Sequence, residues 1–143
     1  MATSNSHQLI LGLIARRMRE KGYLVISFDG HESLIGDLSL NAPKKIKRHK
    51  PDLIGINLED KRICIGEAKT SSDLNSKRTK EQFLDFSCLM TKSQRLCELI
   101  IGIPKSSEKE LLYLLQNLKL LNKSNISYIW MPDDLLVEEE NGI

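Results

Sequence analysis

Asp52 follows Pro51, and after fourteen intervening residues the run "GEAK" brings Glu67 and Lys69 two positions apart. The stretch "RICIGEAKT" reads as a β-strand, whose alternation puts Glu67 and Lys69 on one side together with Ile63 and Ile65. "DLIGINL" reads as the strand before it, with the polar "EDK" as the turn between them. In an antiparallel hairpin the start of the first strand lies beside the end of the second. Asp52, Glu67 and Lys69 are thereby expected at one end of one sheet. Two neighbouring carboxylates disfavour each other's ionisation unless a cation sits between them. Mg²⁺ suits that place, since it takes one or two carboxylates, water and phosphate oxygens. An ammonium alongside can then orient or help deprotonate a water, or neutralise charge building on a phosphate. Each residue also has a plainer reading. Glu67 and Lys69 can be an exposed ion pair worth well under about 1 kcal/mol, and Asp52 a turn residue after proline.

The elements that must position these residues follow from periodicity. Residues 7–21 place Leu9, Ile10, Leu13, Ile14 and Met18 at helical spacing, with Ser6 as the expected N-cap and Gly22 as the residue past the end. "YLVISF" is a strand by its β-branched and aromatic content. Residues 29–50 read as irregular, with a short strand in "SLIGDLSL". After the polar "TSSDLNSKR" a helix is expected through "TKEQFLDFSCLMTK", with Phe83, Phe86 and Met90 as its apolar stripe. "CELIIGI" is a buried strand stopped by Pro104. "SEKE", Ser107 to Glu110, reads as a capping box opening a leucine-rich helix to about Leu121, and "ISYIWM" is a last strand. The order α-β-β-β-α-β-α-β predicts an α/β fold: a mixed central sheet flanked by helices.

The 143 residues amount to one domain, expected over 1–132, with 133–143 an acidic and flexible tail. Apolar content of 41% and charged content of 28% are those of an ordinary soluble globular protein. No apolar stretch approaches a membrane span, and "MATSNSHQ" lacks a signal-like core, so a cytoplasmic location is expected. Cys64, Cys88 and Cys97 are an odd count without metal spacing, expected as buried free thiols. The net charge of +2 hides an asymmetry, because the last thirteen residues hold five acids and no Lys or Arg. The basic excess gathers in "KKIKRHK", where Lys44, Lys45, Lys47, Arg48 and Lys50 run directly into Pro51 and Asp52. Such a cluster is a solvated loop or a phosphate-binding surface.

"PD", fourteen residues, then "EAK" resembles the signature of the PD-(D/E)XK nuclease superfamily, and the element order resembles its restriction-endonuclease-like αβββαβ core. The resemblance covers roughly residues 7–104, leaving a C-terminal helix-strand extension. It implies a Mg²⁺-dependent DNA endonuclease, Mn²⁺ substituting, with Asp52, Glu67 and the Ala68 carbonyl as ligands and Lys69 assisting the attacking water. Branches similar to Holliday junction resolvases and RecB-like nucleases carry a glutamine on the helix after the third strand, which "EQFLDF" offers as Gln82. Gln82 can equally close a capping box with Thr79. Arg78, one turn earlier, is a candidate phosphate contact. Many members have a glutamate on the first helix. Here that helix opens with "SHQ", so His7 is the candidate for its place at the metal. Cutting both strands of DNA implies a homodimer, and the leucines between 111 and 121 offer an apolar surplus for its interface. The alternative function is a catalytically silent module on the same fold that holds nucleic acid or a protein.

Overall fold

The structure is a computed structural model that describes residues 5–28, 40–41 and 49–140. Helix α1 (Asn5–Glu20) buries Ser6, Ile10, Ile14 and Met18, one stripe at four-residue spacing. Ser6 therefore lies inside the helix rather than capping it. The helix ends as its sequence predicts: Gly22 takes φ +92°, Tyr23 N–H bonds to the Met18 carbonyl and Gly22 N–H to the Arg19 carbonyl. That pair of bonds satisfies the last turn's orphan carbonyls and turns the chain into β1 (Leu24–Phe28).

β1 pairs antiparallel with β3 (Leu53–Ile56), and β3 with β4 (Ile63–Ala68). Asn57 organises the turn between β3 and β4, its side-chain oxygen accepting from the Glu59 and Asp60 amides. A two-residue strand β2 (Leu40–Asn41) pairs with β5 (Met90–Thr91) away from the main sheet. Helix α2 (Lys77–Ser87) then carries the chain across to β6 (Glu98–Pro104), which lies parallel to β4. A 3-10 turn (Lys105–Ser107) and helix α3 (Glu108–Asn117) lead to β7 (Ile126–Met131), parallel to β6. The sheet order is β1-β3-β4-β6-β7.

The sheet is covered on both faces. Cys64, Ala68 and Ile100 turn to α1, while Ile63, Ile65, Leu99, Ile101 and Ile103 form a core with Phe83 and Phe86 of α2 and Leu111, Leu114 and Leu115 of α3. This explains the unbroken apolar run in β6, a parallel strand buried from both sides. Gly66 and Gly102 let α1 approach closely, since a Cβ at Gly66 would stand 2.8 Å from Ile14 and one at Gly102 2.6 Å from Ile10. The mixed α/β class with flanking helices is as the sequence predicts.

Several local expectations change. Helix α2 stops at Ser87, and Met90 belongs to β5 instead of the helix stripe. Ser107 makes no side-chain cap, because the 3-10 turn before α3 holds its backbone at φ −94°, ψ 3° and not in the extended geometry of a cap, and its hydroxyl is buried. α3 ends at Asn117, not near Leu121, where Lys119 enters the left-handed region at φ 63°. Of the leucines between 111 and 121, Leu111, Leu114, Leu115 and Leu120 are buried in the chain's own core, Leu112 and Leu118 are half-buried and Leu121 is exposed, so the surplus is narrower than the sequence suggests. Part of the expected flexible tail is a helix, α4 (Asp133–Glu140), whose Leu136 packs into the α1 core. Asp133 anchors its start by accepting from the Ser106 amide at 2.8 Å and hydroxyl at 2.6 Å. Cys64 and Cys97 are buried free thiols, with burial pushing Cys97 up to about 12, whereas Cys88 is exposed just past α2. Among the described residues no helix is long and apolar enough to cross a membrane.

Candidate active site

The register Leu53↔Gly66 sets Asp52 and Glu67 opposite each other where the hairpin opens. They lock reciprocally. The Asp52 amide donates to Glu67 Oε1 at 3.0 Å, and the Ala68 amide donates to Asp52 Oδ2 at 2.9 Å. Glu67 is wholly buried, and Lys69 is 8% exposed. The Lys69 ammonium stands 3.4 Å from Glu67 Oε2 and donates to the Gln82 side-chain oxygen. The Lys69 amide continues the ladder onto the Gly102 carbonyl at 2.9 Å, which fixes the backbone from which this side chain leaves.

Gln82 is therefore engaged by Lys69 rather than closing a capping box. Ser76 caps α2, its hydroxyl accepting from the Thr79 amide at 3.1 Å. This frees Gln82, buried on the helix face turned to the sheet, to meet the lysine. His7 reaches the same place from α1, with Nε2 3.5 Å from Asp52 Oδ2. The close approach of α1 at Gly66 and Gly102 makes that reach possible.

The electrostatics are uneven. Burial, with Asp52 as a second cause, pushes the Glu67 carboxyl well above the usual carboxylate range, and Lys69 opposes that shift. Glu67 Oε2 accepts no hydrogen bond among the described residues, only the ion pair. His7 moves the other way from what burial asks: the Asp52 carboxylate beside it raises its pKa, and Asp73 adds to the effect.

The sequence-predicted residues Asp52, Glu67, Ala68, Lys69, Gln82 and His7 thus come together. Arg78 lies exposed in the opening turn of α2 beside exposed Lys77 and Lys80, a basic edge without an acid in that turn. Lys50 is exposed ahead of Asp52, while Lys44, Lys45, Lys47 and Arg48 fall outside the described residues. One participant and one neighbouring contact were missed. Asp73 accepts from the Thr70 amide and hydroxyl, both at 2.9 Å, and so orders the chain just past Lys69. A threonine followed by an aspartate three positions on was the available signal. His49, the last but one of the basic run, is buried against Phe86 with Nε2 3.6 Å from Asp85 and 3.9 Å from Glu81. No sequence spacing announces that contact, because it joins a loop to a helix more than thirty positions away.

Among the described residues no group of three or more His, Cys, Asp or Glu side chains is arranged to hold a metal ion. What the site offers is two carboxylates, one with a buried oxygen that accepts no hydrogen bond, beside a buried lysine. Compared with protein-family models, curated proteins and solved structures, the chain finds no match in any of the three.

Proposed function

We propose that this chain is a metal-dependent DNA endonuclease of the PD-(D/E)XK type, hydrolysing a phosphodiester at the sheet end built by Asp52, Glu67 and Lys69. The observation that carries the reading is the wholly buried Glu67 carboxylate, held opposite Asp52 and against the Lys69 ammonium. A surface ion pair needs no such burial, and a packing role does not explain charges in a space that apolar side chains would fill more cheaply. The order helix, antiparallel strands, helix, parallel strand supports the restriction-endonuclease-like core, with β1, β3, β4 and β6 as its four strands.

Magnesium fits the donor set. It takes hard oxygens and is content with one or two carboxylates, so a third acidic ligand is not required. Asp52 and Glu67 would hold it, the Ala68 carbonyl and His7 being the further candidates at the same place. Bound there, the ion supplies charge stabilisation at the phosphate and a more acidic water.

The chain's own groups have separable tasks. The Asp52 amide fixes Glu67 Oε1 and leaves Oε2 turned to the lysine. The Ala68 amide fixes the Asp52 carboxylate, with His7 alongside. Gln82 accepts a hydrogen bond from one N–H of the Lys69 ammonium, which aims the other two at the site. There the ammonium neutralises charge on the phosphate and orients the attacking water. Lys50, Arg78 and the run at 44–48 would hold the flanking backbone, a contribution that falls as salt rises.

Cleavage of duplex, single-stranded, flap and four-way-junction DNA with Mg²⁺ or Mn²⁺ tests the proposal, wild type against Lys69→Ala. Metal-dependent cleavage that survives Lys69→Ala at the wild-type rate overturns it. A homodimer is proposed chiefly from the two-fold symmetry of a double-strand cut. Light scattering tests it, and a monomer mass with only nicks in supercoiled plasmid rejects it.

A further inference from the structure

The chain has a single tryptophan, and it is not in the core. Trp130 is 40% exposed near the end of β7, with the Lys105 ammonium 5.0 Å from the centre of its ring. Its place in the sheet is set by register. Ala68 pairs with Gly102, and Ile103 pairs with Trp130, so Lys69, Ile103 and Trp130 occupy one row across β4, β6 and β7. Tyr128 and Ile126 pack on the α2–α3 side of the sheet, and alternation puts Trp130 on that same side, the side of Glu67. Two strand spacings separate the backbones of Lys69 and Trp130, about 10 Å. A strand of nucleic acid covers that in roughly two to three residues at 3.4 Å each, and in fewer when its bases are splayed.

We propose that Trp130 and Lys105 form a subsite for one unpaired nucleobase and its phosphate, a short way along the strand from the bond cut at Lys69. The proposal rests on the nuclease reading for the direction of the strand. An indole offers its face to any base, and stacking of this kind tolerates sequence. The Lys105 ammonium over the ring shows that this face takes a cation, and Trp130 is 40% exposed. Lys105 is exposed on a flexible stem, so a base takes its place over the indole while the ammonium moves to the phosphate of the same nucleotide. The acids at this end of the sheet do not all oppose that phosphate freely. Glu108 accepts from the Tyr128 hydroxyl at 3.0 Å and both oxygens of Asp133 accept from Ser106, which holds these two carboxylates in place, while Asp134 is exposed and works against the phosphate.

Because Trp130 is the only tryptophan, its emission reports on the subsite alone. The full chain is titrated in EDTA, which halts metal-dependent turnover, with a short oligothymidylate and with a blunt duplex of the same length. The single strand is expected to quench Trp130 saturably and the duplex to quench it far less. With a labelled oligothymidylate read by anisotropy, Trp130→Ala is expected to weaken binding by about five-fold or more, and Trp130→Phe to restore most of it. Lys105→Ala should reduce the log–log salt slope by about 0.7, the share of one phosphate on a single strand. Unchanged affinity in Trp130→Ala, with metal-dependent cleavage intact, overturns the subsite and leaves the nuclease standing. Equal quenching by the duplex overturns the unpaired base. Quenching without cleavage of any substrate upholds the subsite and rejects the nuclease, and no binding together with no cleavage rejects both.

Discussion

The β3–β4 hairpin carries an acid and a base at each of its ends, and the two ends treat them in opposite ways. At the turn, Asp60 accepts from the Arg62 amide at 3.0 Å and from its Nε at 2.6 Å, with both side chains well exposed. Those bonds hold the Asp60 carboxyl below its usual range, and the Arg62 guanidinium also lies 5.6 Å from the centre of the Tyr23 ring. At the open end, Glu67 and Lys69 are buried and the Glu67 carboxyl is pushed up. One pair has its hydrogen bonds and its water. The other has lost its water and kept an oxygen without a hydrogen bond. Two pairs of like chemistry on one hairpin thus separate what favours a turn from what a fold maintains at a cost, and groups held at such a cost mark candidate functional sites.

The largest separation should appear in activity. Lys69→Ala is expected to lower metal-dependent DNA cleavage by about 100-fold or more, while Arg62→Ala leaves the rate where it was. Single-turnover assays on the best substrate of the panel measure both. Stability should separate the ends next. Lys69→Ala removes the counter-charge of a buried carboxylate and is expected to cost roughly 1–3 kcal/mol in urea denaturation, since Glu67 can escape the full penalty by taking up a proton. Arg62→Ala should leave the midpoint nearly unmoved, as exposed pairs do.

Gln82→Ala sharpens the comparison within the site. It leaves both carboxylates and the lysine in place but removes the oxygen that aims the ammonium. A loss of about 10-fold in rate is expected, with substrate affinity unchanged, from titrations under single-turnover conditions. A rate equal to wild type would reduce Gln82 to packing.

The smallest effect is a slope with pH. The native state holds a proton on Glu67 more tightly than the unfolded chain does, so stability is fully present below the ordinary carboxylate range. It is then lost as pH rises through the higher native value. Metal-free Glu67→Gln should therefore lose less melting temperature between pH 5 and pH 8 than wild type does. His7 acts in the same sense from about pH 6.5 upward, its native pKa also being raised, so a residual slope in Glu67→Gln is expected there. Asp60→Asn, at the turn, should leave the slope between pH 5 and pH 8 unchanged and lessen the loss of melting temperature below the ordinary carboxylate range, where the lowered Asp60 carboxyl takes up its proton.

The site was legible because its geometry is nearly local. Strand alternation and hairpin register place Asp52, Glu67 and Lys69 together without reference to the rest of the fold, and Gln82 needed only a helix laid on the correct face. What was hidden depends on distant packing. Helix α4 begins with two acids after a proline, a sound helix start, yet its acidic composition read as a tail because the docking of Leu136 on α1 leaves no local trace. Ser107 has the spacing of a capping box, but the 3-10 turn ahead of it gives its backbone the wrong dihedrals. The exposure of Trp130 is likewise a matter of edge-strand position, which a strand's own residues do not declare.

The bond from the Ala68 amide to the Asp52 side chain has a use beyond posture. Hairpins fray from their open ends, and amides there exchange with solvent through small local openings rather than global unfolding. Ala68 sits at such an end, yet its hydrogen is held by a group that belongs to the candidate chemistry. Its exchange rate is accordingly expected to rise when the carboxylate turns elsewhere, above the slow background set by Ala68's burial between β3 and β6. A single amide thus lets a spectrometer watch the site being engaged with no bond being cut.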